Sequence, residues 1–217
     1  MEIKEIEIQT DDLKGTENFY ANVLGFKLIK KEHNSISFLA GNSILTFIKH
    51  TNLNPNYHFA FNIPKNKLNE ATIWLNSKVN LLLNDENETI TDFGDWNAKA
   101  IYFYDNNNNI VEFIPRFDLT YETEKKFDAS SILSISEIGI VANDPMKLAS
   151  QIMDKNHLNY FEKGKQSENF ISIGDDNGLV IIVKNDRKWF PTEQKAEQHV
   201  TKFKIISNGM TSEILIQ

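Results

Sequence analysis

One order of elements recurs along this chain: a strand, a helix, then three short strands. Glu2–Gln9 alternates polar and apolar residues, with Ile6 and Ile8 on one face, as a half-buried strand does. Thr10-Asp11-Asp12 offers oxygens to the free N–H groups of a helix start. Leu13–Leu24 then carries apolar residues at 13, 19, 20, 23 and 24, and Gly25 suits a left-handed C-cap. Strands are expected at 26–30, 35–40 and 44–49. The order repeats with a strand at 57–63, Pro64 before a helix over 68–75, a strand at 79–83, a polar loop over 84–97, and two last strands. A third copy opens at Ile135, with Asp144-Pro145 starting a helix and strands at 159–162, 170–173 and 179–183. Two strands, at 199–206 and 213–216, leave no room for a helix, so a fourth copy is truncated. A repeat of this spacing dictates architecture first.

The second copy ends in the stretch Ala100–Ile114. Asp105-Asn106-Asn107-Asn108-Asn109 marks a tight turn, because Asn and Asp tolerate the left-handed region and bond their own main chain. The strand after it, Ile110-Val111-Glu112-Phe113-Ile114, is apolar except for Glu112. A carboxylate there must be paired, bind a metal or face water.

Composition narrows the functional classes. The chain has 217 residues, no cysteine and a net charge of -7. Disulfides, thiolate metal sites and cysteine nucleophiles are excluded. A mildly acidic chain argues against nucleic acid and anionic membrane as partners. The start Met1-Glu2-Ile3-Lys4-Glu5 does not read as a signal peptide, and no apolar run approaches spanning length, so a cytoplasmic location is expected.

Thr10–Leu13, Asn18-Phe19-Tyr20 and Val23-Leu24-Gly25-Phe26, together with Tyr102–Asp105, Asn109 and Ile110-Val111-Glu112, resemble the signatures of the vicinal-oxygen-chelate superfamily. This is the fold of glyoxalases, extradiol dioxygenases and fosfomycin-resistance proteins. Its last hairpin is usually written F-x-D-P-x-G-N-x-x-E; here Asn106 stands for the proline and Asn108 for the glycine, both compatible with a turn. The resemblance implies an α+β fold in which βαβββ modules pair into a cup-shaped half-barrel, with two complete modules, a third and a truncated fourth. The expected division is a paired unit over 1–115 holding the metal cup, a connector over 116–132 pinned by Tyr121 and Phe127, and a second, incomplete unit over 133–217.

In the family, metal ligands come from the first and last strands of the modules. The matching positions are Glu5 and Thr46 in the first module and His58 and Glu112 in the second. The resemblance therefore implies a metal set of His58, Glu112 and Glu5, with Glu5 replacing the usual His or Gln. Thr46 is a poor ligand and falls with Trp96, Tyr102 and Tyr104 as a candidate lining of the substrate pocket. One imidazole with two carboxylates suits Mn²⁺ or Fe²⁺, with Zn²⁺ and Mg²⁺ as further candidates. Plain structural roles stand beside these: His58 as an ordinary partly buried histidine, Glu112 paired with a cation such as Arg116, Glu5 solvated beside Glu7. Glu137 and His199 occupy corresponding positions in the third and fourth modules, but the apolar strand at 179–183 argues against a second metal site. His33, His50 and His157 are expected in solvent, and Trp189-Phe190-Pro191 as packing at a turn.

Three functions fit. A glyoxalase-like lyase or isomerase needs a base that Thr46 cannot supply. A ring-cleaving dioxygenase needs three protein ligands and open positions for substrate and O₂, which matches the count. A non-catalytic protein that sequesters a drug or other small molecule needs only the cleft. The partner expected in each case is a small molecule, with a homodimer left open; no catalytic residue is assigned.

Overall fold

The computed structural model describes residues 1–51 and 54–217. In chain order the elements are β1 (Glu2–Thr10), α1 (Leu13–Glu17), β2 (Lys27–Lys31), β3 (Ser35–Ala40), β4 (Ser43–Lys49), β5 (His58–Asn62), α2 (Leu68–Asn76), β6 (Ile90–Phe93), β7 (Ala98–Tyr104) and β8 (Ile110–Ile114). They continue with β9 (Ser134–Ala142), α3 (Pro145–Asn156), β10 (Phe170–Asp175), β11 (Gly178–Lys184), β12 (Thr201–Ser207) and β13 (Met210–Ile216). The fold is α+β, and the described strands join one large mixed sheet.

The helix starts follow from the caps. Asp12 Oδ1 accepts from Gly15 N at 2.8 Å, and Asp144 Oδ1 accepts from Lys147 N at 3.0 Å. The expected single helix over 13–24 divides in two. After Glu17 the backbone widens into a π-turn over Asn18–Val23, where Leu24 N donates to Phe19 O at 2.9 Å. The wider turn seats Tyr20 fully in the core, where its hydroxyl donates to Asp105 Oδ2 at 2.8 Å.

Two expected strands are reduced to single bridges. Residues 79–83 contribute only Leu81 opposite Phe103, and 159–162 only Tyr160 opposite Ile173. The strand falls instead inside the expected loop, as β6, whose Ile90, Thr91, Asp92 and Phe93 pair with β7. β6 occupies β7 from Ala98 to Ile101, which leaves residues 79–83 only the end of that edge, where Leu82 N donates to Tyr102 O at 2.8 Å. The connector also departs from expectation at its start. Arg116 is 1% exposed, Phe127 is buried as anticipated, and Tyr121 points outward at 55% exposure.

Sheet order brings the site together. The main path runs β2-β3-β4-β1-β9-β5-β8-β7-β6, with β10 and β11 attached to β9, and β12 and β13 to β1. β5 and β8 are parallel, with His58 opposite Ile110 and Ala60 opposite Glu112. β9 lies antiparallel to β5 on its other edge, with Ala60 opposite Glu137, and β11 is parallel to β9. β1 meets β9 only at Ile3 and Ile135; its main partners are β4 and β12. Phe38, Phe47, Phe59, Phe61, Phe103 and Phe113 fill the principal core. A second apolar cluster, including Tyr102, Phe161, Ile181 and Trp189, lies on the side that carries the site.

Candidate functional site

The asparagine-rich turn after β7 fixes the strands that carry the first two site residues. Asp105 accepts from Asn107 N at 2.8 Å, from Asn109 N at 2.9 Å and from Asn109 Nδ2 at 2.8 Å. Asn108 adopts the left-handed region that this turn requires. Asn109 Oδ1 in turn accepts from Tyr57 N at 2.8 Å, one residue before His58. A sequence of Asn and Asp thus sets the register of β5 against β8. That register directs His58 and Glu112 to the same side.

Burial leaves these groups few partners. His58 Nδ1 lies 3.1 Å from the Ile110 carbonyl, so Nδ1 carries the proton and Nε2 presents its lone pair. Nε2 is 3.6 Å from Glu112 Oε2. Glu137, from β9, completes a buried group in which one ligand atom from each residue lies within 4.8 Å of the others. Burial pulls the His58 imidazole down to about 4, and the nearby Arg187 charge adds to the effect. Burial raises the Glu112 carboxyl well above the usual carboxylate range, and the Glu137 charge pushes the same way. Tyr102 is raised too, by burial first and Glu112 second, so it remains a neutral phenol. In ¹⁵N-resolved NMR the His58 imidazole is expected to stay neutral, with its proton on Nδ1, from pH 8 down to about pH 5, because burial disfavours the imidazolium. A midpoint near that of free histidine would contradict this environment.

A buried guanidinium braces the group. Arg116 forms an ion pair with Glu137, donates from Nε to Ser136 Oγ at 3.2 Å and lies over the rings of Trp96 and Phe161. Its Nη1 has no hydrogen-bond acceptor and stands 3.6 Å from Asp176 Oδ1, also unpaired. Gly139 allows β9 to come this close to β5. A Cβ there would lie 2.7 Å from the Trp189 ring and 3.0 Å from His58 O.

Above these residues is a cavity of about 320 Å³ with aromatic walls that include Phe93, Trp96, Tyr102, Phe170, Trp189 and Phe190. Trp189 packs against the His58 ring at 5.1 Å between centroids, and Phe190 meets Tyr102 edge-on at 5.7 Å. Pocket and acid–imidazole group together offer a hydrophobic chamber with polar chemistry at one end.

The expected metal set is therefore brought together in part. His58 and Glu112 meet, and Glu137 stands where Glu5 was expected. Glu5 lies on β1, accepts from Lys204 Nζ at 2.8 Å and from Thr46 Oγ1 at 3.2 Å, and is absent from the group. Strand order is the reason: β9, not β1, lies beside β5. Thr46 bonds Glu5 and Ser37 and does not line the cavity. Trp96 and Tyr102 do line it, while Tyr104 packs against the second cluster. His199 sits beside Tyr57, with Nε2 3.9 Å from Glu197. The expectation for Trp189 and Phe190 was packing alone; they also wall the chamber. Arg116 and Glu137 were the residues missed as partners. The available signal was Glu137 at the first-strand position of the third copy, discounted because its last strand is apolar.

The donor set suits a divalent cation. One neutral imidazole with a free Nε2 and two carboxylates match the ligand preferences of Mn²⁺, Fe²⁺ or Zn²⁺. Both carboxylates are displaced upward, as buried acids short of cationic charge are, and Arg116 supplies one positive charge to the two.

Comparison with known proteins places these observations. A family model described as the Glyoxalase/Bleomycin resistance protein/Dioxygenase superfamily matches residues 2–113. No curated protein matches the chain significantly. Among solved structures, a candidate dioxygenase from Bacillus subtilis subsp. subtilis str. 168 superposes with a TM-score of 0.63 at 18% identity. That match covers 84% of this chain and 63% of the other, so this chain spans somewhat under two thirds of that protein. A glyoxalase I variant from Zea mays gives a TM-score of 0.57 at 11% identity over 90% of this chain and 70% of the other. At these identities the likeness is one of fold. No described helix is long and apolar enough to cross a membrane.

Proposed function

Since the chain belongs to the glyoxalase/bleomycin resistance protein/dioxygenase superfamily, we propose that it is a metal-dependent enzyme acting on a small molecule that chelates the cation through two adjacent oxygens. The observation that carries this reading is the buried His58–Glu112–Glu137 group below an aromatic chamber. His58 Nε2 and one oxygen each from Glu112 and Glu137 would hold Fe²⁺ or Mn²⁺. The second βαβββ module pairs with the third around the site, and the first pairs with the truncated fourth. The site is thus shared across the 116–132 connector rather than contained in 1–115.

The bound cation would act as a Lewis acid toward a chelated oxygen. The protein residues do the rest. His58 is held in one tautomer by the Ile110 carbonyl, and Arg116 fixes Glu137. The aromatic walls keep water away and set the plane of a flat substrate. Tyr102 stays protonated and can donate a hydrogen bond into the chamber. Equivalent register distinguishes the chemistries. Ile110 and Glu112 on β8 correspond to Leu179 and Ile181 on β11, so an isoleucine occupies the position of a fourth ligand or base. Three protein ligands with open positions favour a dioxygenase-like reaction over proton abstraction by a lyase or isomerase.

Chelator-treated protein titrated with Mn²⁺ by calorimetry is expected to take up one ion per chain. With Fe²⁺, oxygen uptake on adding catechols would then support the dioxygenase reading. Absence of saturable binding by either ion would overturn the metal site. A second reading, ligand sequestration without metal, draws on one observation: Arg116 already places a cation on Glu137.

A further inference from the structure

We propose that Arg187 is an anion-recognition residue that makes the chamber selective for small aromatic ligands bearing a carboxylate. The inference rests on the reading above for the chamber as the ligand site, though not for its metal. Arg187 is half-buried and lines the cavity among aromatic side chains. Its guanidinium lies over the Phe170 ring, 5.2 Å from the centroid. One amino group, Nη1, donates to the Lys188 carbonyl at 3.2 Å. Among the described residues no carboxylate lies within ion-pair distance, which sets it apart from Arg116 and Lys163 nearby. An arginine in a partly desolvated, apolar wall with no acidic partner gives up hydration for one carbonyl and one ring face, and gains no opposite charge. A ligand carboxylate would supply the missing charge: among the described residues Nε and Nη2 have no hydrogen-bond partner, and they form the planar fork that binds a carboxylate with two parallel hydrogen bonds. The cation–π contact with Phe170 keeps the guanidinium against the cavity wall.

The walls specify the remainder of the ligand. Trp96, Tyr102, Phe170, Trp189 and Phe190 favour a flat, polarisable ring, and a volume of about 320 Å³ is at the small end for ligand pockets. A single carboxylated ring fits both constraints. Glu112 and Glu137 would repel a second carboxylate, so the charge is read at Arg187.

The test uses benzoate and its neutral analogue benzamide, titrated into chelator-treated full-length protein and followed by tryptophan fluorescence, since Trp96 and Trp189 line the chamber. Metal is left out so that benzoate cannot bind through a cation. Wild type is expected to prefer benzoate by about tenfold or more, the effect of one charge-assisted hydrogen-bonded pair. Arg187→Met is expected to bring the two ligands within about twofold, and Arg187→Lys to keep part of the preference because charge persists without the fork. Equal affinities in wild type, or an undiminished preference in Arg187→Met, would overturn the proposal. The Mn²⁺ titration is made on wild-type protein without benzoate, and the benzoate titration without metal, so a failed metal site and a failed anion site give separate signatures.

Discussion

Glu137→Gln is expected to lower Mn²⁺ affinity by at least about 100-fold, because even outer-sphere substitutions around a metal cost about 10–100-fold. Glu5→Gln is expected to leave that affinity unchanged. The two residues occupy equivalent first-strand positions in their modules, yet only Glu137 lies with His58 and Glu112. Glu5 is committed to Lys204 and Thr46 at the β1–β12 junction. Its pair is solvent-accessible, so the stability cost of Glu5→Gln should be about 1 kcal/mol or less. Calorimetric Mn²⁺ titration of both variants tests the assignment. Loss of affinity in Glu5→Gln with retention in Glu137→Gln would reverse it. Gln is isosteric with Glu, so an intact circular dichroism spectrum is expected for each.

Arg116→Met should be the most destabilising substitution at the site, by about 3–5 kcal/mol, because it leaves the Glu137 carboxyl buried without its partner. The guanidinium is 1% exposed and touches Glu137, Ser136, Trp96 and Phe161. Removing both charges, as Arg116→Met with Glu137→Leu, is expected to restore much of the loss, since a buried ion pair is poor value against apolar packing of similar size. Urea unfolding midpoints of the three proteins provide the measurement. A single-variant loss below about 1 kcal/mol, or a double variant no more stable than the single, would contradict the role given to Arg116. Mn²⁺ offers an independent readout. A cation held by the site binds only the folded state, so saturating Mn²⁺ should recover part of the Arg116→Met deficit.

These two residues mark the limit of what the chain reveals unfolded. Periodicity, caps and turn residues located most strands, and the Asp105–Asn109 run located the hairpin that sets Glu112. His58 and Glu112 were legible because they share a parallel strand pair within one module, where register follows from local pattern. Glu5 and Glu137 were not separable in that way. Each sits at the start of its module, and only long-range strand order decides which one reaches β5. Arg116 was hidden for a related reason. A charged residue beside a polar stretch reads as surface unless its buried acid partner, 21 positions later, is already known. Arg187 and Trp189 lie in a segment with little regular structure, which periodicity cannot orient.

The pairing of β1 with β12 has a kinetic consequence. Glu2 lies opposite Ile206, so one edge of β1 waits for a partner almost the whole chain away. Such a closure is entropically expensive and raises contact order, which slows folding. During synthesis, everything from β5 to β11 can emerge and assemble while that edge of β1 has no partner, because the Ile3–Ile135 bridge lies on the opposite edge, the one that carries β4. An unpaired strand edge is the template on which nascent chains aggregate. Glu5, Glu7 and Lys4 place charge along that strand during the interval. Such charges are the kind that guard an open strand edge, and in the folded chain Lys202 and Lys204 pair with Glu7 and Glu5.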